Sequence, residues 1–361
     1  MHVSVYPLRS MPQKQQPPSP VTVIPPLERF ATTERGARVQ LLRDIETERG
    51  SRVIAYITEP RPQGFGTGIS SDVSPILYEH LRKIGKVERI DILLHTHGGD
   101  TLAPSNIVHL FREFCDHLGV LVPAFAMSAG TMVALGANEI VLGCVGRLGP
   151  VDPTVGNDFN PQVELTDEKG KKTQRSLPIS VEDVAAYLSL ARETGKLDDH
   201  GMAEAFRALT DKVHPLALGN VHRKYLLIRA VSKRLLHLHM NAEADREKIE
   251  GIVNILTEGL YDHAYQISRQ EARSVIGLPV VTPPAKLEGL MWSAYQAYRK
   301  ALHLDGAELP VMFALDTAVI ETTEMTHSFV IEGVAQRSKD GVNIEVKNMR
   351  WGLAASSGGT L

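Results

Sequence analysis

The sequence predicts an α/β fold in which β-α-β units build a parallel sheet, followed by a largely helical second half and a small α+β C-terminal appendage. Three observations carry this. Apolar runs without polar alternation recur at Arg52–Thr58, Arg89–Thr96, Val120–Ala126 and Glu139–Gly143, the pattern of strands covered on both faces. Segments of helical pattern separate them, as crossover connections between parallel strands require. From about Ser180 to Tyr265 the pattern is helical almost throughout, with breaks near Gly195, Pro215 and Asn241.

Each element has its own justification along the chain. Met1–Pro26 holds seven prolines and no apolar stretch of the kind a secretory leader carries, so residues 1–35 read as an extended, disordered arm. Val73–Lys86 is helical in pattern. The strand Arg89–Thr96 ends at Gly98-Gly99-Asp100. An amphipathic helix comes next, with its core stripe at Ile107, Leu110, Phe111, Phe114, Cys115 and Leu118. Ser128–Ala137 is a helix of small residues. Asn157–Arg175 is polar and reads as an exposed hairpin or loop. Ser180 with Asp183 gives a capping-box-like helix start. Ser268–Gly277 is a short helix that Gly277 closes, and Leu278–Val281 is apolar after it. Pro283-Pro284 marks a boundary. Residues 286–303 are helical, and Ala318–Lys347 alternates around Asp340-Gly341, a hairpin-turn pair. The tail Ala354–Leu361 is rich in Gly and Ser, and no internal repeat is present.

The chain has 361 residues with 39 Lys+Arg against 42 Asp+Glu, a formal net charge of −3. That balance argues against a protein that binds nucleic acid through bulk charge. Two cysteines, Cys115 and Cys144, build neither a disulfide framework nor a multi-cysteine zinc site. They read as small buried side chains in a reducing compartment, so the expected location is cytoplasmic. Leu118–Asn138 runs 21 residues without a charge. Gly119, Pro123, Ser128, Gly130 and Gly136 interrupt it, and no anchors flank it. It reads as a buried strand running into a buried helix, and no transmembrane segment is expected.

Two turns carry chemistry. At Leu93–Asp100 (LLHTHGGD) a strand ends in paired glycines, which let backbone N–H groups approach a ligand closely. At Ala126–Thr131 a strand turns sharply into a helix with Ser128 at the turn, where free N–H groups favour a developing oxyanion. One helix and one strand separate the two, so neighbouring parallel strands bring both to the same sheet edge. Alone, each is an ordinary turn or helix cap. The G-x-S-x-G elbow is half matched, because Ala126 replaces its first glycine.

These segments, LLHTHGGD, Ala126–Gly143 (AMSAGTMVALGANEIVLG) and Gly146–Pro153 (GRLGPVDP), resemble the β-α-β superhelical fold of Clp proteases and crotonases. Within it the chain is most similar to the serine dehydrogenase proteinase family, relatives of signal-peptide peptidase A. Tyr261–Val280 (YDHAYQISRQEARSVIGLPV) resembles the segment that closes such a domain. The resemblance spans about Arg38 to Val281, and it sets residues 36–285 as a serine peptidase domain and 286–361 as the appendage. It implies Ser128 as the nucleophile, Gly98 and Gly99 as the oxyanion turn and the Ala129 N–H as a second donor. It implies a soluble peptidase acting on peptide or protein substrates, and a homo-oligomer, for which the helical stretch 180–265 offers a surface.

The general base departs from the family pattern. Clp proteases carry a histidine about one strand beyond the serine, where this chain has Gly149-Pro150-Val151-Asp152-Pro153. Signal-peptide peptidases use a downstream lysine, and Lys169, Lys171 and Lys172 stand downstream here, in a polar setting that keeps a lysine protonated. His263, with Asp262 beside it, is the third candidate and ranks narrowly first, since histidine titrates in the range a base needs. His95 and His97 share a strand face, but no third metal ligand accompanies them. We expect no metal and no cofactor. His97 reads as a polar residue beside the glycine turn or as a substitute base. His109, His117, His237 and His239 read as helix-surface residues. Arg223–Arg234 reads as a solvated face over a packed one. Two other functions compete: a crotonase-like acyl-CoA enzyme, which would need no serine at 128, and an inactive Clp-fold scaffold that has lost the base.

Overall fold

The computed structural model describes residues 34–58, 67–151, 154–155, 159–166, 172–177, 179–305, 311–338 and 341–353. The Pro-rich arm, Asp152-Pro153, Lys169, Lys171, Asp340 and the Gly/Ser tail lie outside them. Helix α1 (Arg35–Arg49) leads into β1 (Arg52–Thr58). The chain continues through α2 (Ser74–Ile84), β2 (Val87–His95), α3 (Ala103–Arg112), β3 (Cys115–Val122), β4 (Phe125–Ala126), α4 (Ala129–Leu135), β5 (Glu139–Leu142) and β6 (Arg147–Leu148). Short pairs come next: β7 (Thr154–Val155) with β10 (Ile179–Ser180), enclosing the hairpin β8 (Gln162–Thr166) and β9 (Lys172–Ser176). The helical half comprises α5 (Val181–Ser189), α6 (Asp199–Thr210), α7 (Pro215–Leu236), α8 (Arg246–Glu258) and the short α9 (Arg269–Glu271). The chain ends with β11 (Val280–Val281), α10 (Ala285–Ala301), β12 (Met312–Glu321), β13 (Thr326–Ser338) and β14 (Gly341–Leu353).

The central sheet has eight strands in the order β11-β5-β3-β2-β1-β12-β13-β14. The first five run parallel; β12 pairs antiparallel with β1, and β13 and β14 follow, each antiparallel to the strand before it. Ile54, Ile92, Leu94, Val120 and Ile140 pack on one face with residues of α2, α3, α4, α7 and α8. Val53, Ala55, Leu93, Leu121 and Val141 pack on the other with α1 and α10. Successive residues of a strand point to opposite faces. Both faces are covered, so the runs are apolar throughout, and this is the α/β fold the sequence predicts.

The structure differs from the sequence reading at several places. The helix after the glycine turn stops at Arg112, and Cys115 and Leu118 already belong to β3. Pairing of Val87 with Cys115 and of Ile90 with Leu118 wins over the helical stripe. Gly119 is required there, since a Cβ would meet Asp91 Oδ1 at 1.9 Å. The next strand is split at Pro123, which has no N–H to give a ladder. Cys115 is buried but Cys144 is exposed, so the pair is not uniformly core. The described residues between 286 and 353 hold most of α10 and β12–β14, and β12 continues the main sheet directly from β1. His117 lies on β3, and His239 lies just past α7 with its Nε2 at 2.9 Å from Leu135 O.

A buried ion pair ties the C-terminal strands down. Arg38 and Glu321 are both shielded completely, with Nε and Oε2 2.8 Å apart. Glu321 also accepts from Tyr298 Oη (2.9 Å) and from Thr326 Oγ1 (2.6 Å). Nearby, His80 Nε2 meets His327 Nδ1 at 3.1 Å and His80 Nδ1 meets Thr322 Oγ1 at 3.3 Å. Burial, with His327 adding, pushes the His80 pKa down to about 3. No described helix is long and apolar enough to cross a membrane.

This packing makes two predictions. Arg38→Met leaves the buried Glu321 carboxylate with only its longer ion pair to Arg35 (3.7 Å) and should cost about 3–5 kcal/mol in urea unfolding at pH 7; a loss under about 1 kcal/mol would contradict the role given to the pair. The His80 pKa is depressed in the folded state, so its contribution is complete above the unfolded value of about 6.5. It is lost as pH falls from there towards about 3. The urea midpoint should therefore drop between pH 7 and pH 5, with a slope of at most about 1.4 kcal/mol per pH unit from this group, and His80→Gln should flatten that slope.

Candidate active site

Strand β2 hands the chain to the site through a single bridge. The Thr96 N–H donates to Phe125 O (2.9 Å) and the Met127 N–H to Thr96 O (3.0 Å). That pairs Thr96 with Ala126 in parallel, and Ala126 with Leu148 on its other side. The glycine turn and the serine turn, thirty-odd residues apart in sequence, therefore leave this small ladder at the same end.

Ser128 sits at φ 50°, ψ −111°, the conformation of the first central residue of a type II′ turn, where glycine is usual. The Gly130 N–H donates to Met127 O at 2.8 Å and closes that turn. Such a φ costs a residue with a Cβ on the order of 1–3 kcal/mol. Helix α4 anchors the turn, since all seven of its residues are buried. Gly130 packs so tightly on β2 that a Cβ there would lie 2.4 Å from Thr96 Cγ2. Ser128 itself is half-buried.

The glycine turn lies against Ser128. A Cβ on Gly98 would be 3.0 Å from Ser128 Cβ and 3.4 Å from its Oγ. Gly98 and Gly99 have φ 123° and 153°, and a Cβ on Gly99 would collide with Ile69 O at 2.0 Å. The Ile69 N–H donates to Gly98 O (2.8 Å), and the Asp100 N–H to Ile69 O (2.7 Å). The Gly98 N–H is engaged as well, donating to Thr96 Oγ1 at 3.1 Å. Among the described residues, the N–H groups of Gly99 and Ala129 meet no acceptor. Sequence reasoning does not single out Thr96; its only signal is a hydroxyl residue inside an otherwise apolar strand end.

The remaining candidates occupy different settings. Ser128 Oγ has no hydrogen-bond partner among the described residues, so no basic group is brought onto it there. His263 is exposed, in the segment before Ile267. Ile267 pairs antiparallel with Leu148, which brings residues 261–266 to the end of the ladder from which Ser128 emerges. The Asp262 carboxylate accepts the Ala264 N–H at 2.8 Å, closing its own turn. Lys172 is exposed and paired with Glu164 at 2.7 Å. His95 is buried and its Nδ1 accepts the Phe125 N–H at 3.3 Å; its ring lies 4.8 Å from that of Tyr295. His97 is exposed, 5.2 Å from the Phe125 ring. Among the described residues no group of three metal-binding side chains gathers.

Residues 22–186 match the family described as ClpP-like SDH-type serine proteinase. Two uncharacterized proteins of Methanocaldococcus jannaschii are similar. One is 29% identical over 252 residues, covering 68% of this chain and 74% of the relative. The other is 34% identical over 124 residues, covering 33% of this chain and 42% of the relative. Among solved structures, a mutant membrane-bound stomatin-specific protease in complex with a substrate peptide is 23% identical, covering 40% of this chain and 61% of that chain. Its TM-score is 0.25, a likeness that adds nothing to the family match. With its α/β architecture, the chain is thus similar over residues 22–186 to the ClpP-like, SDH-type serine proteinases.

Proposed function

We propose that this chain is a serine peptidase that cleaves peptide bonds through an acyl-enzyme on Ser128. The observation that carries the reading is the meeting of the two turns, with Ser128 Oγ 3.4 Å from the point where a Gly98 Cβ would stand. A strained serine elbow against a glycine turn is an arrangement suited to acyl transfer. Ser128 Oγ attacks the peptide carbonyl carbon and its proton passes to the base. The C–N bond then breaks and the base returns the proton to the leaving amine. Water hydrolyses the Ser128 ester by the same route in reverse. The Gly99 and Ala129 N–H groups, which meet no acceptor among the described residues, stabilise the oxyanion, each by about 2.7–4 kcal/mol.

His263 serves as base in this proposal, supported by the strand register that brings residues 261–266 to the Ser128 end of the ladder. Lys172 is disfavoured by its solvated pairing with Glu164. Self-association through the helical half is supported by α6, which buries no residue and leaves Phe206 exposed.

A fluorophosphonate probe tests the nucleophile. It should label the wild type and leave both Ser128→Ala and Ser128→Gly unlabelled; a folded wild type that takes no label overturns the proposal. The same pair reads the backbone strain. Ser128→Gly should gain about 1 kcal/mol in urea unfolding, while Ser128→Ala, which keeps its Cβ at positive φ, should gain nothing. For the base, His263→Ala should lower kcat on a peptide substrate by about 10²–10⁴-fold. Full activity in that variant, with the loss in Lys169→Ala or Lys171→Ala instead, would move the base to the polar hairpin.

A further inference from the structure

A pair of buried threonines sits beneath the glycine turn, and the peptidase reading gives them no part. Thr58, the last residue of β1, and Thr96, just past β2, are both shielded completely from solvent. The Thr58 hydroxyl donates to Thr96 Oγ1 at 2.8 Å. Thr96 Oγ1 also receives the Gly98 N–H at 3.1 Å and gives its own proton to Gly98 O at 3.2 Å. A hydroxyl has one proton to give and two lone pairs to receive with, so Thr96 Oγ1 is saturated. Each of its bonds has one direction.

This saturation fixes which peptide group of the turn faces Ser128. Gly98 O is held by two donors, Thr96 Oγ1 and the Ile69 N–H at 2.8 Å. No cis peptide is present among the described residues, and in a trans peptide the N–H points opposite to the C=O. Anchoring Gly98 O on the Thr96 and Ile69 side therefore turns the Gly99 N–H outward. The Gly98 N–H is withdrawn at the same time, because Thr96 Oγ1 holds it. Two glycines at positive φ have no side chain to resist a flip of the peptide between them. The Ile69 N–H supplies part of the resistance that the sequence of the turn lacks, and the two hydroxyls supply the rest, including the hold on the Gly98 N–H.

We propose that Thr96, backed by Thr58, is a positioning residue for the reaction: its hydroxyl locks the Gly98–Gly99 peptide so that Gly99 N–H, and not Gly98 N–H, is the oxyanion donor. The proposal rests on the reading of Ser128 as nucleophile. Thr96→Val is close in shape and keeps the methyl that packs on Gly130, but removes the hydroxyl. It should lower kcat on a peptide or ester substrate by about 10- to 100-fold with KM little changed, below the full loss of an oxyanion donor. Thr96→Ser should recover most of the activity, and Thr58→Val should show a smaller loss of the same kind. An amide-exchange measurement gives a readout that a merely stabilising hydroxyl would not move. The Gly98 amide should be protected in the wild type and lose that protection in Thr96→Val, while the Gly99 amide exchanges readily in both.

The outcomes separate. Thr96→Val with wild-type kcat, or with an unprotected Gly98 amide already in the wild type, overturns the positioning role and leaves the peptidase reading intact. A fall in Tm with kcat unchanged does the same. A folded wild type without Ser128-dependent labelling overturns the peptidase reading itself, whatever the amides show.

Discussion

Two backbone hydrogen bonds, from Thr96 N–H to Phe125 O and from Met127 N–H to Thr96 O, tie the end of the parallel sheet to the segment that carries Ser128. The features of the site depend on this bridge. It brings the glycine turn within van der Waals contact of the serine turn, and through Ala126 and Leu148 it reaches Ile267, about three-quarters of the way along the chain. The parallel part of the sheet is insulated on both faces, so it acts as a rigid base from which short, irregular segments project. Residues that would be strained in an isolated loop are held there by the burial of α4 and by the pairing of neighbouring strands.

Close approach is the second constraint, and it is imposed by the absence of side chains. Gly99 passes the Ile69 backbone and Gly130 passes Thr96 at distances that leave no room for a methyl group, and Gly149 passes the end of the Met127 side chain. These contacts run in sequence from the wall formed by residues 67–71, across the glycine turn, to the underside of α4. A change at one of them displaces the next, because close-packed interiors transmit displacement with little attenuation.

Much of this was legible in the sequence, for identifiable reasons. Strands β1, β2 and β5 were readable because burial on both faces leaves an unbroken apolar run. Ser128 and the glycine pair were readable because a sharp strand-to-helix turn has few compatible residues. The end of α3 was not, since Ile107, Phe111, Cys115 and Leu118 satisfy a helical stripe as well as they fit helix and strand in turn. The choice is made by β2, which lies outside the window. The positive φ of Ser128 was hidden for a similar reason, with Ala126 where the elbow pattern has glycine. Thr96 was missed because its role lies in a hydroxyl network that includes Thr58, on another strand. The alternation of β12 and β13 was plain, but the attachment of β12 to β1 pairs Ala55 with Glu321 and Thr58 with Ala318, backed by an ion pair from α1 across 283 positions, and no local pattern encodes such partners.

That separation governs the order in which the molecule is completed. Arg38 and β1 are synthesised well before their partners Glu321 and β12. At about 5–20 residues per second, roughly 15–60 s of translation separates the two. Through that interval the parallel half of the sheet has an open edge at β1, with unpaired backbone groups and an arginine that has no counter-ion from β12. An exposed edge of this kind is a template for pairing with another chain. The C-terminal strands thus act as a built-in cover for a nascent intermediate, and a chain cut short before β12 would retain the glycine and serine turns yet be prone to aggregate.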